Sequence, residues 1–181
     1  MASFAEYILA EKDWIKKLEI AYYLKKKTNI FFDNTVVFKT ALTNLFLSYT
    51  DLEDVDKNLI LTASTLCNCK KVDNFADMSK VKTYAKDGAE YLKTLGFGDK
   101  FCRVCEQINR YSGSEPREPE ADVLELIDQF GGMLLDRPER IGFKPDEALV
   151  LLEFRNLKDK DNRYLDTFKD FVNRMEAIKI W

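Results

Sequence analysis

The scarcity of chain breakers is the feature that most limits what this sequence can fold into. Seven glycines and four prolines serve 181 residues, and several of them fall together between residues 96 and 145. Leu, Lys, Glu and Ala are plentiful, which predicts long helices. "SFAE" at residues 3 to 6 fits a capping box, with Ser3 accepting a backbone hydrogen bond and Glu6 reaching back. Phe4, Tyr7, Ile8, Trp14, Ile15, Leu18, Ala21 and Tyr22 then form one apolar face of a single long helix. A second stripe runs through Phe38, Leu42, Leu45, Phe46 and Tyr49, entered through Asp33 and Asn34. A third holds Leu59, Ile60, Ala63, Leu66 and Cys67, with Asp56 placed to cap it. Weaker patterns surround "TYAKDGAEYLKTLG", closed by Gly96, and Phe101, Val104, Cys105 and Ile108. "GSEPREPE" at 113 to 120 reads as a loop. Val123, Ile127, Phe130 and Leu134 mark one further helix; Ala148, Leu149 and Leu152, behind Pro145, mark the next. Tyr164, Leu165, Phe168, Val172, Met175 and Ile178 mark the last. Strand alternation is absent, since the β-branched cluster "VVFKT" merges into a helical stripe. The expectation is an all-α chain of about eight helices.

A net charge of −3 gives no general attraction for nucleic acid. The lysines of "KKLEIAYYLKKK", residues 16 to 27, read as a solvated helix face rather than a membrane or RNA patch. No segment approaches the run of about 20 apolar residues that a bilayer span requires. The N-terminus carries acids early and lacks a basic leader pattern, so the expected compartment is the cytoplasm and the four cysteines are expected to be reduced.

One passage is more specific. "LIDQFGGMLLDRPERIGFKPDEALVLL" supplies Asp128, then Asp136, Arg137, Pro138 and Arg140, then Pro145, Glu147, Ala148 and Leu149. It resembles the C-terminal half of an HD-GYP domain, a branch of the HD phosphohydrolase superfamily. There a metal-binding aspartate helix runs into an Asp-Arg-Pro turn and a Pro-x-Glu-Ala-Leu helix start. "LILTASTLCNCKK" resembles the family's helix ending in Leu-His-Asp-Ile-Gly-Lys, which puts Cys67 and Asn68 on the histidine–aspartate pair and Lys71 on the lysine. "YAKDGAEYL" resembles His-Pro-x-x-Gly-Ala-x-x-Leu, with Tyr84 at the histidine. "EQINRYSGSEP" resembles the double-histidine stretch, with Gln107 and Ile108 at the two histidines, followed by Arg110, Gly113, Ser114 and Pro116. The first histidine of the family falls near Thr35. The resemblance implies an HD-like helical domain over 33–181, preceded by an amphipathic helix and linker over 1–32.

The chain contains no histidine at all. An active HD site holds two metals that acidify a bridging water and clamp phosphate oxygens. Of the ligand positions carried over by the resemblance, Asp128 alone keeps a competent side chain, so no catalytic residue, metal or cofactor is expected. If a metal binds anywhere, the C-x-C and C-x-x-C pairs, Cys67, Cys69, Cys102 and Cys105, are the soft-ligand candidates. The alternative is that these thiols are simply buried. Lys71, Arg110, Arg137 and Arg140 are basic positions that the resemblance gathers around the old cleft with Asp128. They offer a nucleotide or phosphate site, although for Arg137 and Arg140 the stronger reading is that arginine–carboxylate pairing fixes the Asp-Arg-Pro turn. Without metals, Asp128 is expected to pair with one of these four cations. Gly131 and Gly132, each costing about 1 kcal/mol within a helix, are read as points of close helix packing.

Two function classes follow from this reading. The first is an inactive HD-type domain that serves as a regulatory or protein-interaction module, with another protein or a second copy as partner. The second is an atypical hydrolase or ligand binder using a rebuilt site of cysteines or basic residues.

Overall fold

The computed structural model describes residues 3–71, 78–108, 114–159 and 162–178. Nine helices run through them: α1 Phe4–Ala10, α2 Trp14–Lys27, α3 Asn34–Tyr49, α4 Lys57–Leu66, α5 Met78–Thr94, α6 Asp99–Gln107, α7 Pro119–Leu134, α8 Pro145–Asp159 and α9 Leu165–Ala177. The all-α expectation holds among the described residues, where the lone extended pairing is a bridge between Arg137 and Arg140. None of these helices is long and apolar enough to cross a membrane.

Local chemistry sets most of the boundaries. Ser3 and Glu6 form the reciprocal capping box, at 3.2 and 2.7 Å. Asp33 caps α3 through the amides of Thr35 and Val36, and Asp56 caps α4 through Leu59. Gly96, with φ +93°, supplies the left-handed residue just past α5. The 113–120 loop is shorter than expected, because Pro119 already opens α7.

The single N-terminal helix is the clearest correction. Glu11 accepts from the amides of Lys12 and Asp13, and Asp13 accepts from Ile15. These carboxylates offer the backbone an alternative to the helical ladder, so one helix ends and a second begins. The break rotates the stripe: Ala5, Ile8, Leu18, Ala21 and Leu24 are buried, whereas Tyr7, Ile15 and Tyr22 are exposed. It also turns Lys17 inward, against the reading of residues 16–27 as a solvated face. Lys17 is fully buried, and its Nζ donates to the Ile8 carbonyl and to Thr62 Oγ1, both at 2.7 Å. Asn58 Nδ2 holds the Leu9 carbonyl at 2.6 Å. The open carbonyls at the end of α1 are thus fastened by α2 and α4.

Helix α4 is the axis of the molecule. It touches α1, α2, α3, α6 and α7, and every residue from Leu59 to Leu66 is buried. Its buried hydroxyls are satisfied close at hand. Thr62 donates to Asn58, Ser64 to Leu61 and Thr65 to Thr62, each to a backbone carbonyl of the same helix. Such self-contained groups let a polar-looking sequence cross the core without orphan donors. Phe46 of α3, Phe130 of α7, and Phe168 and Phe171 of α9 form an aromatic cluster, with three edge-to-face pairs at 5.2 Å between centroids and a tilted Phe168–Phe171 pair at 5.9 Å.

Candidate functional site

The site lies where α3, α4, α5, α6 and α7 converge. Helix α7 carries Asp128, and one turn further on Gly131 presents no side chain towards α3. A Cβ there would sit 3.2 Å from Lys39 Cγ and 3.5 Å from Leu42 Cδ2. The expected role of Gly131 in close packing is thus borne out. The space it leaves is filled by the stem of Lys39, whose Nζ donates to Asp128 Oδ1 in an ion pair with a buried lysine and a partly buried carboxylate.

Asp128 therefore pairs with Lys39, a residue outside the four cations expected from the sequence. Burial alone would raise the Asp128 pKa. The charges of Lys39 and Lys71 outweigh it, with hydrogen bonds from Lys39 and Asn68, and hold it at about 2, down from 3.8. The resemblance-derived positions gather around this pair. Asn68 is buried beside Asp128, and its Oδ1 has no hydrogen-bond partner among the described residues. Cys67 shares the same cleft wall, and burial followed by the Asp128 charge pushes its thiol up to about 12. Tyr84 is also raised well above its usual value, by burial first and then by Asp128. Ile108, just past the end of α6, also lines the cleft.

Gln107 does not join them. It turns away to staple the following loop, donating to the Ser114 and Pro116 carbonyls and accepting from the Glu118 amide at 2.8 Å. Next to it, Arg117 binds both Asp122 and Glu125, and Arg163 closes on Asp122 at 2.7 Å. This network anchors the start of α7 and therefore the position of Asp128. Arg110 lies outside the described residues.

Lys71 sits at the edge of the cluster, with its Nζ 5.8 Å from the Tyr84 ring centroid. Burial, then the charge of Lys39, lowers its pKa; Asp128 opposes the shift and Arg137 adds to it. Arg137 and Arg140 have a task of their own. Arg140 donates to the carbonyls of Gly132 and Met133 at 2.9 and 3.0 Å, and Arg137 adds a 3.3 Å bond to Gly132. These carbonyls lie in the last turn of α7, where no further helical amide follows and cations are favoured, and the Met133 carbonyl also accepts from the Phe143 amide at 2.9 Å. The two arginine backbones pair with each other at 2.8 and 3.1 Å. Asp136 accepts from the Gly142 amide, and a Cβ on Gly142 would overlap the Leu134 carbonyl at 2.0 Å. The Asp-Arg-Pro passage is therefore a helix cap that binds arginine to carbonyls, where arginine–carboxylate pairing was expected.

The arrangement is unsuited to a divalent metal. The void between Lys39, Cys67, Asn68, Ile108 and Asp128 is about 10 Å³, room for a single water at most. The Asp128 charge is already matched by an ammonium. Unit charges about 4 Å apart interact by about 4 kcal/mol at an effective dielectric of 20, and a doubly charged ion beside Lys39 would be repelled by about twice that. The cysteines are the other candidate ligands. All four are buried free thiols, and Cys69 and Cys102 point to different backbone carbonyls, those of Gly88 and Phe97. Burial raises Cys69 to about 12 and Cys105 well above its usual value. Among the described residues, no three His, Cys, Asp or Glu side chains are grouped so as to hold an ion.

Lys39 is the residue of this cluster that the sequence reading missed. The signal was present: Val36, Lys39, Leu42 and Phe46 fall on one helical face, so the lysine stands in phase with the buried stripe. Comparison of the chain with family models, with curated proteins and with solved structures returned no match.

Proposed function

We propose that this chain is a catalytically inactive helical domain of the HD type that works as a regulatory or protein-interaction module. The observation that carries the reading is the convergence of Cys67, Asn68, Tyr84, Ile108 and Asp128 on one point, with Lys39 filling it. Those five positions come from four separate stretches of sequence, and the resemblance assigned each to a metal ligand from the sequence alone. The side chains found there cannot acidify a water, because the lone carboxylate is neutralised and the remaining groups are neutral at pH 7. An internal ion pair in place of a metal pair keeps the helices in register and removes the chemistry.

Metal content provides the test. Protein purified without chelator is expected to carry far less than one equivalent of Mn, Fe, Mg or Zn by plasma mass spectrometry. A full equivalent that disappears in Asp128→Ala would sink the reading. A full equivalent that disappears in Cys67→Ser would instead place a rebuilt site at the cysteines.

A further inference from the structure

Helix α1 holds seven residues, too few to persist as a helix in water on its own, so its order depends on what fastens it. It packs on α4, with Ala5 and Ile8 buried and Phe4 edge-on to the Phe97 ring at 6.1 Å between centroids. Towards α2 the packing is open: a groove of about 440 Å³ lies between Phe4 and Tyr7 and the facing side of that helix. At the far end of α1, two side chains hold its last carbonyls. Asn58 Nδ2 binds Leu9 at 2.6 Å and Lys17 Nζ binds Ile8 at 2.7 Å. The chain then turns at residues 11–13, where Glu11 accepts from the Lys12 and Asp13 amides, and enters α2.

One of these two fastenings depends on a proton. Lys17 is fully buried, and the atoms its Nζ touches, the Ile8 carbonyl of α1 and the Thr62 hydroxyl of α4, are both neutral. Thr62 spends its own proton on the Asn58 carbonyl, so towards Lys17 it only accepts. A neutral amine has two N–H groups, and these two acceptors match them without any buried charge. Burial is the main influence on Lys17 and lowers its pKa from 10.5 to about 8; Lys12 in the turn adds to the shift, while Glu11 in the turn and Asp56 ahead of α4 oppose it. Release of α1 would open the ammonium to water, where it titrates as an ordinary lysine. Below pH 8 both forms carry the proton, and only the closed form bears the cost of burying it. Between pH 8 and 10.5 the closed form loses its proton first, so closure strengthens as pH rises. We infer that α1 is a proton-operated latch hinged on the 11–13 turn, loosened while Lys17 is charged and held shut when Lys17 is neutral. The opening is local, because the phenylalanine cluster of α3, α7 and α9 packs without α1.

The reporter is Ile8→Cys, which puts a thiol on a side chain that is fully buried while the latch is closed. The folded full chain is treated with iodoacetamide, and labelling is read by mass spectrometry after digestion. Each rate is divided by that of an unstructured peptide thiol at the same pH. The natural cysteines are buried, and Cys105 of α6 reports global unfolding in the same sample. At pH 7 the introduced thiol is expected to label at least about tenfold faster than Cys105. From pH 7 to 9 its corrected rate is expected to fall about tenfold, as a lysine that titrates near 8 when closed and near 10.5 when open requires. Adding Lys17→Met should abolish that fall. Adding Asn58→Ala instead, which frees the Leu9 carbonyl, should speed labelling at both pH values and keep the fall; it carries the test if Lys17→Met does not fold. Labelling no faster than at Cys105 would overturn the inference, as would a corrected rate that is flat with pH. So would a fall that persists in Lys17→Met, or labelling that Asn58→Ala leaves unchanged.

Discussion

Asp128→Ala is expected to lower the unfolding free energy by about 3–5 kcal/mol, because it strands the Lys39 ammonium in a site with 7% exposed side-chain surface. Lys39→Met should cost less, since Lys71 remains as a second cation acting on Asp128. The double variant Lys39→Met/Asp128→Leu should recover most of the loss, because well-packed apolar groups commonly replace a buried ion pair at no net cost. Urea unfolding of all four proteins measures the coupling. A cost below about 1 kcal/mol for Asp128→Ala would mean that the pair is solvated and holds nothing together. The acid limb gives an independent reading. The folded pKa of Asp128 is depressed to about 2 from 3.8, so its stabilisation is complete above pH 4 and lost as pH falls towards 2. That contribution is about 2 kcal/mol and should be missing from the double variant.

Lys17 should produce a second rise of stability with pH, in the alkaline range. Burial lowers its pKa from 10.5 to about 8, with Lys12 adding to the shift and Glu11 and Asp56 opposing it. Among the described residues it donates to a carbonyl and a hydroxyl rather than to a carboxylate. Below pH 8 both folded and unfolded states carry the proton, and the fold bears the full cost of burying a charge. Between pH 8 and 10.5 the folded state releases its proton first, so the unfolded state binds more protons and stability rises with pH. Relative to Lys17→Met, the wild-type chain is expected to gain about 2–3 kcal/mol between pH 7 and 10 in urea unfolding. Other lysines contribute equally to both proteins and cancel in the difference. Parallel curves for the two proteins would show that Lys17 is not charged and buried at neutral pH. At pH 7 the substitution should be close to neutral, since the relieved charge burial offsets about 1–3 kcal/mol for an Ile8 carbonyl and a Thr62 hydroxyl left without a donor.

Both lysines show where sequence reading stopped. The stripes of α3, α4, α6, α7 and α9 were legible because apolar residues recur at helical spacing, and Asp33, Asp56 and Ser3 announced their caps. The break at residues 11–13 was not legible, because its cause is the side chains of Glu11 and Asp13 competing for backbone amides in an otherwise continuous pattern. Lys17 and Lys39 were hidden by their type: a lysine is read as solvated even when its position falls in phase with Leu18 and Ala21, or with Val36 and Leu42. Their burial depends on partners far along the chain, Thr62 and Asp128, and no local period reports those. The Asp-Arg-Pro passage was visible as a pattern, but its arginines were read as ligand or carboxylate partners. Only the coordinates reveal the carbonyls of Gly132 and Met133 that they cap.

The central claim is that an ion pair occupies the place of a metal pair and leaves no nucleophile, and turnover tests it most directly. With Mn²⁺, Fe²⁺ or Mg²⁺ in excess, the full chain is expected to hydrolyse neither cyclic di-GMP nor a chromogenic phosphodiester above the rate of buffer alone. Without a metal, the pKa of water stays near 15.7, far from the roughly neutral value a bound hydroxide needs. Robust metal-dependent turnover that disappears in the folded Lys39→Met/Asp128→Leu variant would contradict the account.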